Sequence, residues 1–335
     1  MKRAINGEGD REKRTLQRQN EQLKEEMAKV IREELKVGAM RSVGRPGAKM
    51  IQTALGGAGL AVAFNAPIGG TLFTLEEVTK SFRVKTVLAT LFSAVAAVGC
   101  SRLVLGNHTD FQVEPVGAPA LAWLPLFVVF GLLTGWLGAV YNGLVLWFLD
   151  HVAAIRRIPT LAKAAVIGAI IGLAMFVSPL AVGGGELLTQ QILSGHHIIL
   201  SVVIGYLAVR FVAGPLSYSA AVPGGIFAPL LAVGALWGLL FVGGFDAVWP
   251  GDTTQLAVPM ALVGMAAFFG ATVRAPVTGL VLVAEMTATT EVLVPMMAAT
   301  AGAVLAAYVV GSPPIYDSLR ERMPDEASIE GRGGG

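Results

Sequence analysis

The feature that most constrains the fold is a series of long stretches without a charged side chain. Eight such stretches, of 16 to 35 residues, contain no Asp, Glu, Lys or Arg: residues 50–75, 86–101, 115–149, 164–185, 187–209, 211–245, 253–273 and 292–316. Crossing the hydrocarbon of a bilayer takes ~20 mostly apolar helical residues, because the backbone must satisfy its own hydrogen bonds there. The sequence therefore predicts an all-α polytopic protein that crosses the cell membrane several times.

Composition argues against a soluble globular domain, a nucleic-acid partner and a cysteine-rich protein. The chain is 54% hydrophobic and 14% charged, which does not fit a soluble globular domain. Of the 25 Lys and Arg residues 13 lie in residues 1–49, so the net charge of +2 is no sign of a nucleic-acid partner, and none is predicted. Cys100 is the single cysteine and cannot form an internal disulfide or a cysteine-rich metal site. We predict no cofactor and no metal.

Two apolar stretches are interrupted by helix-breaking residues. The breaks fall at Asn65-Ala66-Pro67 and at Val222-Pro223-Gly224-Gly225. Interrupted helices are tolerated at membrane depth only where protein or a water-filled cavity surrounds the freed backbone groups. The breaks therefore predict a transport pathway or a binding site.

Basic residues predict the orientation in the membrane. One cluster precedes a span and the other follows the next span, whereas the loop at residues 106–119 has no Lys or Arg; the clusters are Lys80, Arg83 and Lys85, and Arg156, Arg157 and Lys163. Under the positive-inside rule both clusters and the basic N-terminal segment are cytoplasmic. Residues 50–75 must then enter and return, which predicts a re-entrant helix pair broken near Pro67.

The chain divides into three parts by composition. Residues 1–49 form a charged cytoplasmic arm, residues 50–316 a transmembrane domain, and residues 317–335 a short polar tail. Within the arm, Leu16, Leu23 and Val30 are seven residues apart. This spacing fits a short coiled coil within a helical arm, and the alternative is a charged exposed helix or a partly disordered arm.

Two segments share an internal pattern. Residues 66–76 and 275–285 both begin Ala-Pro, with Gly three residues and Glu nine residues after the proline. A chance match in Gly-rich and Ala-rich sequence is one interpretation, and the other is a duplicated membrane unit with the substrate held at the interface of the repeats. Far less chain precedes Pro67 than precedes Pro276. The first repeat is therefore expected to be incomplete, with the chain truncated on its N-terminal side.

Five short motifs occur in a fixed order along residues 55–323. They are Gly59 to Pro67 running into Leu75-Glu76-Glu77, Gly183-Gly184-Gly185-Glu186-Leu187-Leu188, Pro223-Gly224-Gly225-Ile226-Phe227-Ala228-Pro229, Gly264 to Phe269 with Arg274-Ala275-Pro276 and Glu285-Met286-Thr287, and Pro314-Ile315-Tyr316. Together, in this order, they resemble the CLC family of chloride channels and proton-coupled chloride exchangers.

The resemblance implies an anion site. In the family the Gly-Ile-Phe-Ala-Pro loop opens a helix whose backbone amides bind the anion, and the late tyrosine adds its hydroxyl; the corresponding residues here are Gly225, Ile226, Phe227, Ala228 and Tyr316. Helix starts carry unsatisfied N–H groups and about half a positive charge, so they hold an anion without a full cation that would trap it. From the residues alone, a Gly-Pro kink between packed helices is the alternative.

Other polar residues in the apolar regions receive separate interpretations. The resemblance implies that Glu77 passes protons from the cytoplasmic side, and an ordinary exposed helix-end charge is the alternative. Arg210, Glu186 and Glu285 each need a partner or water. We expect Glu285, like Arg274, to be structural. His196 and His197 lack metal-ligand spacing, and a loop or interface role is expected.

The sequence also departs from the family pattern. A Gly-Ser-Gly-Ile-Pro loop, which supplies an anion-coordinating serine, and a Gly-Arg-Glu-Gly-Pro loop, which supplies the gating glutamate, do not occur in it. The predicted function is chloride transport by a CLC-type channel or chloride/proton antiporter, as a homodimer in the lipid bilayer, with the chain alone inactive or an uncoupled leak. The alternative is a non-conducting membrane interaction subunit or fragment. An intramembrane enzyme is not supported, because no Gly-x-Ser-x-Gly or His-Glu-x-x-His motif is present.

Overall fold

The computed structural model describes residues 46–106, 109–196, 198–222, 224–249 and 253–322. These residues contain twelve α-helices and no strand: α1 (Pro46–Ala63), α2 (Pro67–Phe73), α3 (Val84–Leu105), α4 (Leu124–Ala154), α5 (Thr160–Val177), α6 (Glu186–Leu193), α7 (Leu200–Tyr218), α8 (Phe227–Asp246), α9 (Ala257–Val273), α10 (Pro276–Thr287), α11 (Leu293–Val309) and α12 (Ile315–Arg320). The predicted arm up to Arg45 and the tail beyond Arg322 lie outside the described residues.

Five segments are long and apolar enough to cross a membrane. They are Val84–Leu105, Leu121–Ala154, Thr160–Val177, Leu200–Tyr218 and Phe227–Asp246. The all-α, multi-pass prediction is thereby confirmed. Helix α4 has 31 residues, well above the ~20 that a perpendicular crossing takes, so it spans the bilayer at a tilt or projects beyond it.

The predicted break near Pro67 separates α1 from α2. Asn65 adopts a left-handed conformation with φ of 43° and accepts a hydrogen bond from Arg102 Nε at 3.0 Å. The chain then doubles back so that the segment after the break packs closely against α1. A Cβ added at Gly57 in α1 would touch the Thr74 hydroxyl and lie 3.0 Å from the Gly70 carbonyl oxygen. Helices α1 and α2 thus form the short hairpin expected of a re-entrant pair.

The duplicated segments have the same backbone geometry. Asn65 and Arg274 are both left-handed, with φ of 43° and 67°. The next residues, Ala66 and Ala275, have φ/ψ of −123°/80° and −116°/72° and are followed by the first proline of a helix. A chance sequence match would not produce these paired conformations, so the pattern marks a true structural repeat.

Each repeat caps a helix of the other. The Glu285 carboxylate accepts from the backbone N–H of Ile68 at 3.1 Å and of Gly69 at 2.7 Å, in the first turn of α2. Reciprocally, Glu76 accepts from the N–H of Val277 at 3.2 Å and of Thr278 at 2.7 Å, in the first turn of α10. The free N–H groups of both broken helices are therefore met by a carboxylate from the other repeat. The expectation that Glu285 is structural agrees with this contact.

Small residues let the central helices approach closely. Residues 258–273 of α9 are all buried. A Cβ added at Gly234 of α8 would lie 2.4 Å from the Gly264 carbonyl oxygen, and one at Gly131 of α4 would lie 2.2 Å from that of Ala299 in α11. Without a hydrophobic driving force between helices in lipid, such close packing is what holds them together.

The two ends of the helix bundle differ in their contacts. At one end Lys80 pairs with Asp317 and Arg322 with Asp150, and both predicted basic clusters lie at this end. At the other end the loop after α3 docks through Phe111 N–H donating to the Met286 carbonyl at 3.1 Å. The positive-inside rule assigns the first end to the cytoplasm.

We expect loss of either reciprocal cap to destabilise the helix bundle. Glu76→Gln and Glu285→Gln each replace one acceptor oxygen by a donor that faces a backbone N–H, at a cost of about 1–3 kcal/mol. The measurement is the thermal unfolding midpoint in detergent, with the exposed Glu291→Gln as the matched control. Midpoints equal to that of the control would show that the caps contribute nothing.

The orientation can be checked with single cysteines in a Cys100→Ser background. Thr109 and Arg157 are both exposed and lie at opposite ends of the bundle. We expect a membrane-impermeant maleimide added outside intact cells to label Thr109→Cys and to leave Arg157→Cys unlabelled until the membrane is permeabilised. The reverse pattern would invert the assigned topology.

Candidate functional site

Helix α8 begins inside the protein with its amides available to a ligand. Ile226 is the N-cap residue and makes no side-chain cap hydrogen bond, and Phe227 is the first helical residue. The first-turn amides of any helix have no intrahelical acceptor. Pro229 has no N–H, so Phe227 and Ala228 supply the donors at the start of this helix.

The glycine before this helix leaves open space in front of it. A Cβ added at Gly225 would meet no heavy atom within 4 Å, and Gly225 does not have a positive φ. Neither packing nor backbone conformation therefore requires glycine at this position. What the missing side chain does provide is room for close approach to the helix start.

A cluster of aromatic rings connects the α8 start to Tyr316. The Phe73 ring contacts Phe227 with centroids 6.2 Å apart and Tyr316 with centroids 5.8 Å apart, both edge-on. Phe64 and Phe269 also contact Phe227, at 4.6 Å and 4.7 Å. Phe227 and Tyr316, 89 positions apart in the sequence, thus face the same intervening ring. Their role in binding an anion stays a prediction.

Tyr316 lies within electrostatic reach of the predicted proton carboxylate. Burial raises the pKa of Tyr316, and Tyr218 and Glu77 raise it further. Glu77 is 3% exposed and its Oε1 atom has no hydrogen-bond partner among the described residues. Burial raises the pKa of Glu77 to about 7, with Lys80 acting to lower it and Asp317 to raise it. The carboxyl is therefore poised to gain a proton as the pH falls through neutrality.

Glu77 lies in a π-turn, which sequence reasoning missed. Residues Thr74–Val78 form the turn, and the Thr79 hydroxyl reaches back five residues to the Thr74 carbonyl at 3.0 Å. In the second repeat the matching hydroxyl, that of Thr287, reaches back only four residues, to the Val283 carbonyl at 2.6 Å. Glu77 and Val78 therefore stand where the second repeat has one residue.

That single residue is Met286, which is 2% exposed. Glu77 takes its buried place, while Val78 is 42% exposed. A one-residue insertion is the usual origin of a π-turn, and such turns are frequent at functional sites. The one-residue shift between Thr79 and Thr287 was visible in the sequence and would have revealed the insertion.

Two arginines within or beside the apolar stretches, Arg210 and Arg274, donate hydrogen bonds to backbone carbonyls. Arg210 is 4% exposed and donates to the carbonyls of Leu180 at 2.7 Å, Val182 at 3.0 Å and Gly183 at 3.1 Å. It thereby anchors the glycine-rich loop before α6. Arg274 donates to the Ser312 carbonyl at 2.7 Å, which fits the structural role expected for it.

Cavities flank the α8 start on two sides. One, of roughly 460 Å³, lies between α5, α7 and α8 and is lined in part by Tyr141, Arg210, Tyr218, Gly224, Gly225 and Ile226. The other, of roughly 270 Å³, is lined in part by Phe64, Asp110, Gly185, Glu186, Ala228 and Met286. Ala228 lines both cavities, so the α8 start forms part of the partition between them.

Inverted repeats, broken helices and a helix start facing two cavities form the architecture that many membrane transporters share. The family model described as voltage gated chloride channel matches residues 32–308. The chain belongs to this CLC family.

Relatives in the family include chloride/proton exchangers. The chain is 36% identical over 269 residues to the H(+)/Cl(-) exchange transporter ClcA of Vibrio parahaemolyticus, covering 79% of this chain and 57% of that protein. It is 35% identical over 294 residues to ClcA of Klebsiella pneumoniae, covering 86% and 61%. The chain thus spans somewhat more than half the length of these relatives.

Solved structures share the fold. A slow cyanobacterial Cl−/H+ antiporter superposes with a TM-score of 0.74 at 30% identity, covering 83% of this chain and 66% of that one. A CLC-type fluoride/proton antiporter superposes with a TM-score of 0.61 at 21% identity, covering 80% and 64%.

Proposed function

We propose that this chain serves CLC-type anion transport, with chloride or a similar small anion bound at the start of α8 beside Tyr316. The observation that carries the proposal is the convergence of the Phe227 helix start and Tyr316 on the Phe73 ring. Family membership and the exchangers among its relatives support the same substrate class. A homodimer in the bilayer is part of this proposal.

The chemistry of the site suits transport rather than permanent binding. Backbone amides and a phenol hydroxyl hold an anion through partial charges, so the anion can leave again.

Glu77 is proposed as the carboxyl that exchanges protons with the cytoplasm. It is buried, its Oε1 has no partner among the described residues, and it acts electrostatically on Tyr316. A buried carboxyl that titrates near neutral pH can take up and release protons under physiological conditions. Its position at the same end as Lys80 and Asp317 supports exchange with the side assigned to the cytoplasm.

A second candidate function is a non-conducting membrane subunit that packs against other transport components. The observation that favours it is the absence from this sequence of the Gly-Ser-Gly-Ile-Pro and Gly-Arg-Glu-Gly-Pro loops. The two functions differ in anion flux through the purified chain.

Chloride binding tests the proposed site. We expect Gly225→Val to weaken binding at least tenfold, because the added side chain occupies the open space before the α8 amides, and Tyr316→Ala to weaken it through loss of the hydroxyl. Calorimetry in detergent measures both. Gly205→Val is the matched control, since a Cβ there also meets nothing within 4 Å but lies in α7. Unchanged affinity in both site variants would remove the assignment.

Proton coupling is tested by reconstitution. Since the glutamate-gate loop does not occur in this sequence, we expect no proton-coupled chloride flux from liposomes that contain only this chain, and no chloride efflux rather than a leak. Chloride efflux is followed together with lumenal pH. Stoichiometric proton movement that Glu77→Gln abolishes would contradict this expectation and would show that another group acts as the gate.

A further inference from the structure

An ion pair links the two chain segments that carry Glu77 and Tyr316. Lys80 Nζ lies 2.7 Å and 2.5 Å from the two carboxylate oxygens of Asp317. Lys80 follows Glu77 by three residues, and Asp317 follows Tyr316 directly. The pair therefore bridges the end of the first repeat and α12 beside the proposed proton carboxyl.

The backbone at Lys80 is shaped by the inserted residue of the π-turn. The left-handed residue that ends the helical segment comes twelve positions after Pro276 in the second repeat, at Ala288, and thirteen after Pro67 in the first, at Lys80. Lys80 has φ of 47°, a left-handed conformation like that of Ala288 at the equivalent position. The inserted residue thus fixes where the Lys80 side chain leaves the backbone, beside α12.

The ion pair between Lys80 and Asp317 adds little to the stability of the protein. Their side chains are 49% and 31% exposed, and solvent screens an exposed pair of this kind. Glu77, in contrast, is 3% exposed, and a buried carboxyl responds strongly to nearby charge.

We propose that Lys80 and Asp317 form a matched pair of opposite charges that positions and sets the protonation of Glu77. The proposal rests on the role of Glu77 put forward above. Lys80 favours the charged form of Glu77, and Asp317 favours its neutral form. Because the two charges are in direct contact, each partly offsets the effect of the other on Glu77. Lys80 and Asp317 are thus positioning residues for proton exchange.

The surroundings of Glu77 contain few other charges. Burial is the main influence on the Glu77 pKa, followed by Lys80, Asp317, Arg320 and Glu76 in decreasing order. Glu76 is occupied in capping α10, and Arg320 lies 3.8 Å from Asp317 on α12. Tyr316 also interacts with Glu77. Farther along the chain, Arg83 and Lys85 are exposed near the start of α3.

The test is an infrared titration of the full chain in lipid, which reads the carboxylic-acid band of Glu77 without any transport. Glu77→Gln identifies the band. We expect Lys80→Met to raise the titration midpoint and Asp317→Asn to lower it, each by about one pH unit, because each removes one of two opposing charges. The matched controls are Arg322→Met and Asp150→Asn, which break the other ion pair at this end.

Exchanging the two charges distinguishes an electrostatic effect on Glu77 from a purely structural role of the ion pair. In the double variant Lys80→Asp/Asp317→Lys the pair can re-form, but the charge with the larger influence on Glu77 is now negative. We expect its midpoint to lie above that of the unaltered chain. A purely structural ion pair would instead shift the midpoint in the same direction in both single variants and return it to that of the unaltered chain in the double variant.

The infrared titration supports or overturns the role of the ion pair whether or not the chain transports anions. Midpoints that shift in opposite directions support the pair even if the chain carries no flux. Equal midpoints in all variants, shifts as large in the controls, or no band that Glu77→Gln removes would each overturn the proposal. Thermal unfolding in detergent verifies that the variants remain folded.

Discussion

The rest of this structure depends on how the freed backbone groups of two broken helices are satisfied. A helix that starts inside a membrane protein exposes N–H groups that water does not reach, and leaving them unpaired is costly. Here Glu285 serves α2 and Glu76 serves α10, each across the interface between repeats. The α8 start differs in that Ala228, in its first turn, lines two cavities. We therefore propose the α8 start, and not the carboxylate-capped starts of α2 and α10, as the place for a transported anion.

The repeats also explain where the carboxyl that is proposed to exchange protons lies. They match in sequence spacing up to the capping glutamates and then diverge by one residue. The extra residue produces the π-turn and places Glu77 in the buried position that Met286 fills in the second repeat. A capping carboxylate and a titrating carboxyl thus stand side by side at positions 76 and 77. Their different surroundings give them different tasks: Glu76 accepts backbone hydrogen bonds, whereas Oε1 of Glu77 has no partner in the described part of the chain.

The proposed anion and proton sites meet in a small volume. Phe73 separates Phe227 from Tyr316, and Tyr316 is electrostatically coupled to Glu77. The α12 helix carries Tyr316 inward and Asp317 toward Lys80, so one short helix contacts both parts of the site. A change of charge at Glu77 is therefore able to influence the phenol that is proposed to bind the anion.

The sequence by itself determined the all-α membrane architecture, the break at Pro67 and the residues at the α8 start, whereas the paired backbone conformations decided that the matching segments are a true repeat. The first three follow from local rules, because long apolar runs of this kind cross hydrocarbon as helices and because proline and glycine act on their own backbone. Only the tertiary structure decided that Glu285 caps α2, that Glu77 occupies the place of a methionine, and that Lys80 meets Asp317 from 237 positions away. Such contacts depend on how repeats of opposite direction pack against each other, and packing between distant segments is not encoded in the spacing of any one of them.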